Sequence, residues 1–221
     1  MAKIFTLEQR ILKRNSEVAA DNRRLFDTHG VFVVSLASSP GSGKTSLLEK
    51  SLKLLRQEVS VGVIEGDIQT DNDARRIEAL GVPVIQIVTN GTCHLDAQMV
   101  QGALEQLEFG KMELLFIENV GNLVCPASYD LGEHLRVVLS STTEGEDKPL
   151  KYPAMYRRSE AMVLNKTDLL PYLTYDLKEA CALALRVNPS LEIFETSCTT
   201  GAGIPEFCRW IVTKMSETSA A

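Results

Sequence analysis

Eight consecutive residues, Ser38-Ser39-Pro40-Gly41-Ser42-Gly43-Lys44-Thr45, place glycines, a cation and a hydroxyl in the order that holds a phosphate chain. An apolar, β-branched run over 31–37 precedes them, and Ser46-Leu47-Leu48-Glu49 opens a helical pattern behind them. Strand, glycine-bearing loop and helix start make up the context of a P-loop. Gly41 and Gly43 let the backbone curl so that successive N–H groups, through Ser42, Lys44, Thr45 and Ser46, face an anion at the positive end of the helix. Lys44 is placed to reach the β- and γ-phosphates, and the Thr45 hydroxyl to ligate Mg²⁺. One position departs from the motif: Ser38 stands where a glycine is usual.

The base is specified further along. Asn165-Lys166-Thr167-Asp168 follows a short apolar run over 161–164 and has the NKxD form. A carboxylate at Asp168 accepts two hydrogen bonds from guanine, whereas adenine lacks that donor pair and leaves the charge unmatched. Asn165 braces the loop and meets the ring edge, and the stem of Lys166 covers the ring face. A second brace is Ser197-Cys198-Thr199-Thr200-Gly201, where a backbone N–H meets guanine O6. These features make the chain a GTP binder.

Acidic residues occupy the places where metal and water chemistry is expected. Glu65-Gly66-Asp67 ends the second apolar run and Glu118-Asn119-Val120-Gly121 the fourth. Small GTPases usually carry an aspartate at the later site; Glu118 is one carbon longer. Glu118 is expected to hold Mg²⁺, Gly121 to offer its N–H to the γ-phosphate, and Asp67 to orient water or complete the Mg²⁺ shell. Asp71 and Asp73 are weaker candidates for that role. No glutamine or arginine is placed as a water-positioner or finger, so slow intrinsic turnover is expected.

Cys93-His94 and Cys125 add a third chemistry. Thiolate with imidazole suits Zn²⁺ or Ni²⁺ rather than Mg²⁺. Three ligands are too few for a closed tetrahedral site, so water, another chain or a second metal must complete it. Cysteine is also commonly a small buried hydrophobe, so the residues alone leave both readings open. Cys181 and Cys208 read as core, while His29 and His134 have no cysteine or acid cluster around them in sequence.

The elements that must position these groups alternate. Leu7, Ile11, Val18 and Leu25 recur among polar residues and predict one amphipathic helix over 7–28, ended by Gly30 and packed on its own domain. This divides the chain into a helical arm at 1–30 and a P-loop domain at 31–221. Apolar runs recur at 31–37, 59–64, 82–88, 114–117, 135–139, 161–164 and 191–194. Helical patterns at 45–57, 72–80, 95–109, 175–187 and 205–215 lie between most of them. Strands alternating with helices predict an α/β fold, a P-loop NTPase whose mostly parallel sheet is covered on both faces. The stretch 140–159 reads as a long irregular loop with a function.

Composition sets limits. The 221 residues are 44% hydrophobic and 24% charged, ordinary for one globular domain. A formal charge of −6 argues against non-specific nucleic-acid or anionic-membrane binding. No apolar run approaches the roughly 20 residues of a membrane helix, and the first residues meet charge too soon for a signal peptide. Five cysteines without a disulfide framework predict reduced thiols and a cytoplasmic protein.

With these residues on the page, the chain resembles the nickel-inserting GTPases of hydrogenase maturation, the HypB family, over essentially its whole length. The most specific strings are Glu65-Gly66-Asp67, Cys93-His94-Leu95-Asp96, Phe116-Ile117-Glu118-Asn119-Val120-Gly121-Asn122-Leu123-Val124-Cys125-Pro126 and Ser141-Thr142-Thr143-Glu144-Gly145. The resemblance implies the dimerising class of P-loop GTPases, with GTP, Mg²⁺ and either Ni²⁺ or Zn²⁺ as ligands. It implies a GTP-promoted homodimer with a metal site built across its interface from Cys93, His94 and Cys125 of both chains. It also implies delivery of Ni²⁺ to the hydrogenase large subunit precursor, helped by a small zinc-containing nickel chaperone. The family's cysteine-rich N-terminal motif and His-rich stretch have no counterpart here: no cysteine precedes Cys93, and the chain has three histidines. That leaves Cys93, His94 and Cys125 as the expected metal site.

Overall fold

The computed structural model describes residues 7–69 and 72–219. Its elements run α1 (Leu7–His29), β1 (Phe32–Ser38), α2 (Lys44–Leu55), β2 (Val61–Asp67), α3 (Asn72–Glu78), β3 (Val84–Val88) and α4 (Ala97–Leu104). They continue with β4 (Leu114–Glu118), β5 (Leu135–Ser141), α5 (Lys148–Lys151), α6 (Pro153–Arg157), β6 (Ala161–Asn165), α7 (Leu177–Val187), β7 (Glu192–Glu195) and α8 (Ile204–Ser219). The seven strands form one sheet in the order β3-β2-β4-β1-β5-β6-β7, with every pairing parallel.

Side-chain alternation divides the core between the two faces. On β1 and β4, Val34, Leu36, Leu114 and Phe116 pack with Leu47, Leu48 and Leu52 of α2 and Phe207 of α8. Val33, Leu115 and Ile117 turn the other way, onto Phe26 of α1 and Val100 of α4. Further along that sheet, Val138, Met162 and Leu164 meet Tyr156 and Ala184. Chain direction across the sheet reverses around β1, so the loop after β1 opens at a topological switch point, where α/β proteins bind ligands.

The structure departs from the sequence reading in four places. The buried stripe of α1 is Asn15, Val18, Ala19, Asn22 and Phe26, while Ile11 is 47% exposed. The helix turns two asparagines inward because each finds backbone carbonyls there: Asn15 Nδ2 donates to Asp130 O at 2.8 Å, and Asn22 Nδ2 to Ala97 O at 2.9 Å. Helix α4 begins at Ala97 rather than 95, because Asp96 caps it by accepting from Met99 N at 2.8 Å. It ends at Leu104, where bonds from Gln106 N to Ala103 O and Leu107 N to Leu104 O tighten the last turn. The stretch 140–159 is not irregular: β5 runs to Ser141, and α5 and α6 follow, each with proline in its first turn. Cys208 lies in the core as expected, but Cys181 is only half-buried against it.

Gly30 ends α1 as the sequence predicts. Its φ of +66° lets Val31 N donate back to Phe26 O at 3.0 Å, which closes the helix. Among the described residues no helix is long and apolar enough to cross a membrane.

Candidate nucleotide and metal site

The loop between β1 and α2 has the backbone of an anion cradle. Gly41 and Gly43 sit at φ +76° and +99°, a region that side chains disfavour. Gly43 is required twice over, since a Cβ there would lie 2.6 Å from Asn165 Nδ2. Lys44 Nζ donates to Ser38 Oγ at 3.1 Å, so the serine that replaces the usual glycine gives the lysine a partner at the loop's base. Ser46, in the first turn of α2, accepts from Arg76 Nη2 at 3.3 Å.

The base loop is joined to this cradle. Asn165, the buried last residue of β6, donates from Nδ2 to Ser42 O at 3.1 Å and accepts from Thr196 Oγ1 at 3.2 Å. Lys166, at φ +64°, donates from Nζ to Gly41 O at 2.7 Å. Ser197 Oγ donates to Asp168 Oδ1 at 2.6 Å, which fixes the carboxylate that would read guanine. Cys198 Sγ approaches Asn165 Oδ1 at 3.4 Å, completing the contact between the two base-loop segments.

Sequence reasoning did not assign Glu144 and Lys148 to the site. Lys148 Nζ donates to Ser39 Oγ at 2.7 Å and pairs with Glu144 at 3.2 Å, and Glu144 accepts from Ser141 N at 3.0 Å. Residues 140–159 read in sequence as a functional loop, but no local pattern singles out Glu144 and Lys148 within it.

The acidic group gathers differently from expectation. Thr45 Oγ1 donates to Glu118 Oε1 at 2.8 Å. The residue beside Glu118 is Glu65, its register partner across β2 and β4, and Asp73 of α3 joins them with carboxylate oxygens within 4.8 Å of one another. Oε2 of Glu65 and of Glu118 is buried without a hydrogen-bond partner. Burial, then the charge of Glu118, pushes the Glu65 carboxyl up to about 11, and burial raises Glu118 as well. Two adjacent buried carboxylates with unpartnered oxygens fit a divalent cation, with Thr45 as a further oxygen ligand. Asp67, on the same face of β2 two residues on, accepts from Gln69 N at 2.9 Å and lies outside that trio. Asp71 lies outside the described residues. Glu65 was legible only through register, because the apolar run stops at Ile64 while β2 continues to Asp67.

Gly121 brings the next segment against the phosphate loop: a Cβ there would meet Pro40 at 3.1 Å. Four residues on, Cys125 Sγ lies 3.3 Å from Cys93 Sγ. Cys93, His94 and Cys125 present ligand atoms all within 4.8 Å of one another in a single chain. One ion at about 2.3 Å from each sulfur would span them. Burial lowers the His94 pKa and favours the neutral, ligating imidazole. Its Nδ1 is buried with no hydrogen-bond partner, which fits a metal-ligating nitrogen. The adjacent Cys93 raises the Cys125 thiol most, with burial adding to it. Two further asparagines align the ligand loops: Asn119 Oδ1 accepts from Leu95 N at 3.0 Å, and Asn122 Nδ2 donates to Cys93 O at 3.3 Å.

A parallel sheet with a phosphate loop and a base loop at its switch point defines a P-loop nucleotide-binding protein. The family described as CobW/HypB/UreG, nucleotide-binding domain, matches residues 32–195. The hydrogenase maturation factor HypB of Azotobacter chroococcum mcd 1 is 53% identical over 210 residues, covering 95% of this chain and 69% of that protein. The crystal structure of HypB from Helicobacter pylori in complex with nickel superposes with a TM-score of 0.89 at 36% identity, covering 93% of this chain and 96% of that one. HypB from Archaeoglobus fulgidus superposes at 0.86 and 35% identity, covering 92% and 99%. The chain belongs to this family and, within it, to the HypB hydrogenase maturation factors.

Proposed function

We propose that this chain is a Mg²⁺-dependent GTPase, slow on its own, that couples GTP binding and hydrolysis through a homodimer to nickel delivery into the hydrogenase large subunit precursor. The observation that carries the reading is one short loop. It begins at Glu118, bonded to Thr45, passes Gly121 against Pro40, and ends at Cys125 beside Cys93. A change at the γ-phosphate contact, Gly121, is therefore felt at a metal ligand four residues away. The nickel named with the Helicobacter structure supports Ni²⁺ as the cargo, and the thiolate–imidazole set accepts Zn²⁺ equally well.

Within this reading Lys44 neutralises phosphate charge, Gly121 contacts the γ-phosphate, and Asp67 orients water. Asn165, Lys166 and Asp168 select guanine, with Ser197 and Cys198 bracing the base. Mg²⁺, held by Thr45 and Glu118 with Glu65 beside them, would supply charge neutralisation at the transferred phosphoryl group. Cys93, His94 and Cys125 leave at least one coordination position for water or the second protomer. A small zinc-containing nickel chaperone is the proposed source of cargo, in the cytoplasm.

The test is Ni²⁺ affinity with GDP and with a non-hydrolysable GTP analogue. A delivery protein binds nickel differently in the two states, and by linkage nickel alters nucleotide affinity by the same factor. Equal affinity in both states would reduce the metal to a structural bridge.

A further inference from the structure

Helix α1 reaches the metal-bearing loops through two buried asparagines. Asn15 Oδ1 accepts from Ala97 N at 2.8 Å, while its Nδ2 donates to Asp130 O. Asn22 Nδ2 donates to Ala97 O at 2.9 Å and to Leu131 O at 3.1 Å. Ala97 opens the helix that follows Cys93-His94, and Asp130-Leu131 follow the turn that starts at Cys125. Each asparagine thus spans both ligand segments from the same side.

Two observations argue that this contact does more than fill space. Asn22 is 1% exposed, and its Oδ1 has no hydrogen-bond partner. A leucine there would avoid that desolvation cost, so the position is a costly way to pack a helix. Gly132, at φ +92°, would place a Cβ 2.7 Å from Ala19 O, so the chain after the Cys125 turn is shaped to let α1 lie directly on it. Next to Asp130 in the chain, Tyr129 lays its ring against His94, 4.0 Å centroid to centroid at 32°. Arg136 holds Tyr129 O at 2.7 Å from the other side.

We infer that α1 sets the geometry of the metal site: Asn15 and Asn22 are positioning residues that hold the Cys93-His94 segment and the Cys125 segment in register. The inference rests on the metal reading above. Coordination needs three ligand atoms placed to within a fraction of an ångström, and groups that orient ligands from behind usually matter to affinity by about 10- to 100-fold.

The full chain is titrated with Ni²⁺ alone, and the thiolate-to-nickel charge-transfer bands are followed for the parent, Asn15→Leu and Asn22→Leu. Metal uptake is normalised to the fraction of protein that binds GDP, so unfolded material is not counted. The leucine variants should lose about tenfold or more in Ni²⁺ affinity and shift the bands, with GDP affinity unchanged. Asn15→Ser, which leaves both Asn22 bonds in place, is the milder variant and should shift the same bands less. A Cys93→Ser chain marks the baseline: if the parent already shows no bands above it, the metal reading fails. If the parent shows them and the asparagine variants match its affinity and bands, at whatever thermal stability, the role of α1 is overturned while the metal site stands.

Discussion

Glu65 and Glu118 are register partners on the parallel strands β2 and β4, each 2% exposed and each with one carboxylate oxygen unpartnered. At neutral pH, without a cation, the pair holds a proton, because burial pushes both groups up and Glu65 to about 11. The unfolded chain releases that proton above the ordinary 4.5. The folded state therefore binds more protons, and the pair's stability contribution is largest at low pH and declines as pH rises toward 11. The slope should be about 1.4 kcal/mol per pH unit for one proton. Mg²⁺ with GTP should flatten it and release about one proton on binding. Calorimetry in buffers of different ionisation enthalpy counts that proton; none released would show that no shared proton resides there.

The same pair separates two acidic roles. Lys44→Ala and Thr45→Ala should abolish measurable turnover, by losing phosphate neutralisation and a Mg²⁺ ligand. Glu65→Gln keeps the shape without the charge, and should raise the Mg²⁺ concentration needed for half-maximal hydrolysis. Asp67→Ala should spare nucleotide binding and lower kcat, as a water-orienting residue does. Parental turnover in Asp67→Ala, measured by phosphate release, would take Asp67 out of the reaction.

In the proposed reading, base selection rests on Asp168, whose carboxylate accepts from Ser197 Oγ at 2.6 Å. Asp168→Ala should weaken GTP well over tenfold, since about 2–4 kcal/mol of charged pairing is lost. Asp168→Asn should shift preference toward xanthosine triphosphate, whose extra carbonyl the new amide can meet. Parental GTP affinity in both variants would refute the guanine assignment.

What could be read from the chain follows from which forces are local. All seven strands are visible as apolar runs: the inner strands are covered on both faces and hydrophobic almost throughout, while the edge strands β3 and β7 are less buried and carry shorter apolar stretches. The phosphate and base loops are contiguous motifs, and the fold brings them together, Asn165 against Ser42 and Lys166 against Gly41. Glu65 stands in the acidic string 65–67, but its own role comes from cross-strand register with Glu118, which no local pattern encodes. The inward face of α1 was misjudged for a related reason: Asn15 and Asn22 read as polar surface until carbonyls from segments about 75 to 115 residues away are brought to them. Residues 140–159 read as an irregular loop, yet Pro149 and Pro153 each sit in the first turn of a short helix, where no donor is needed.

The P-loop and base loop are coupled at one atom-wide gap. Gly43→Ala would drive a Cβ to 2.6 Å from Asn165 Nδ2 at a backbone angle that side chains disfavour. It should weaken GDP and GTP alike by about tenfold or more, because both the cradle and the brace from Asn165 to Ser42 are displaced. Fluorescent nucleotide titration reads this directly, and parental affinity would mean that the loop relaxes without cost.

The metal and the dimer should be linked. Thiols lose their protons to ligate as thiolates, so uptake through Cys93 and Cys125 should weaken as pH falls, the more so because Cys93 raises the Cys125 thiol. Cys93→Ala and Cys125→Ala should lose the metal and keep GTP, since neither touches the phosphate loop or the base loop. The three ligands of one chain already converge, which leaves the fourth position as the place where a second protomer would enter. If it does, metal stoichiometry should track dimer formation, and GTP should promote both. Mixing Cys93→Ala chains with native chains then decides the matter: a shared site gives one altered spectrum, whereas independent sites give half the native signal. Full, unaltered metal binding by an enforced monomer would place the whole site within one chain and leave the dimer to the nucleotide alone.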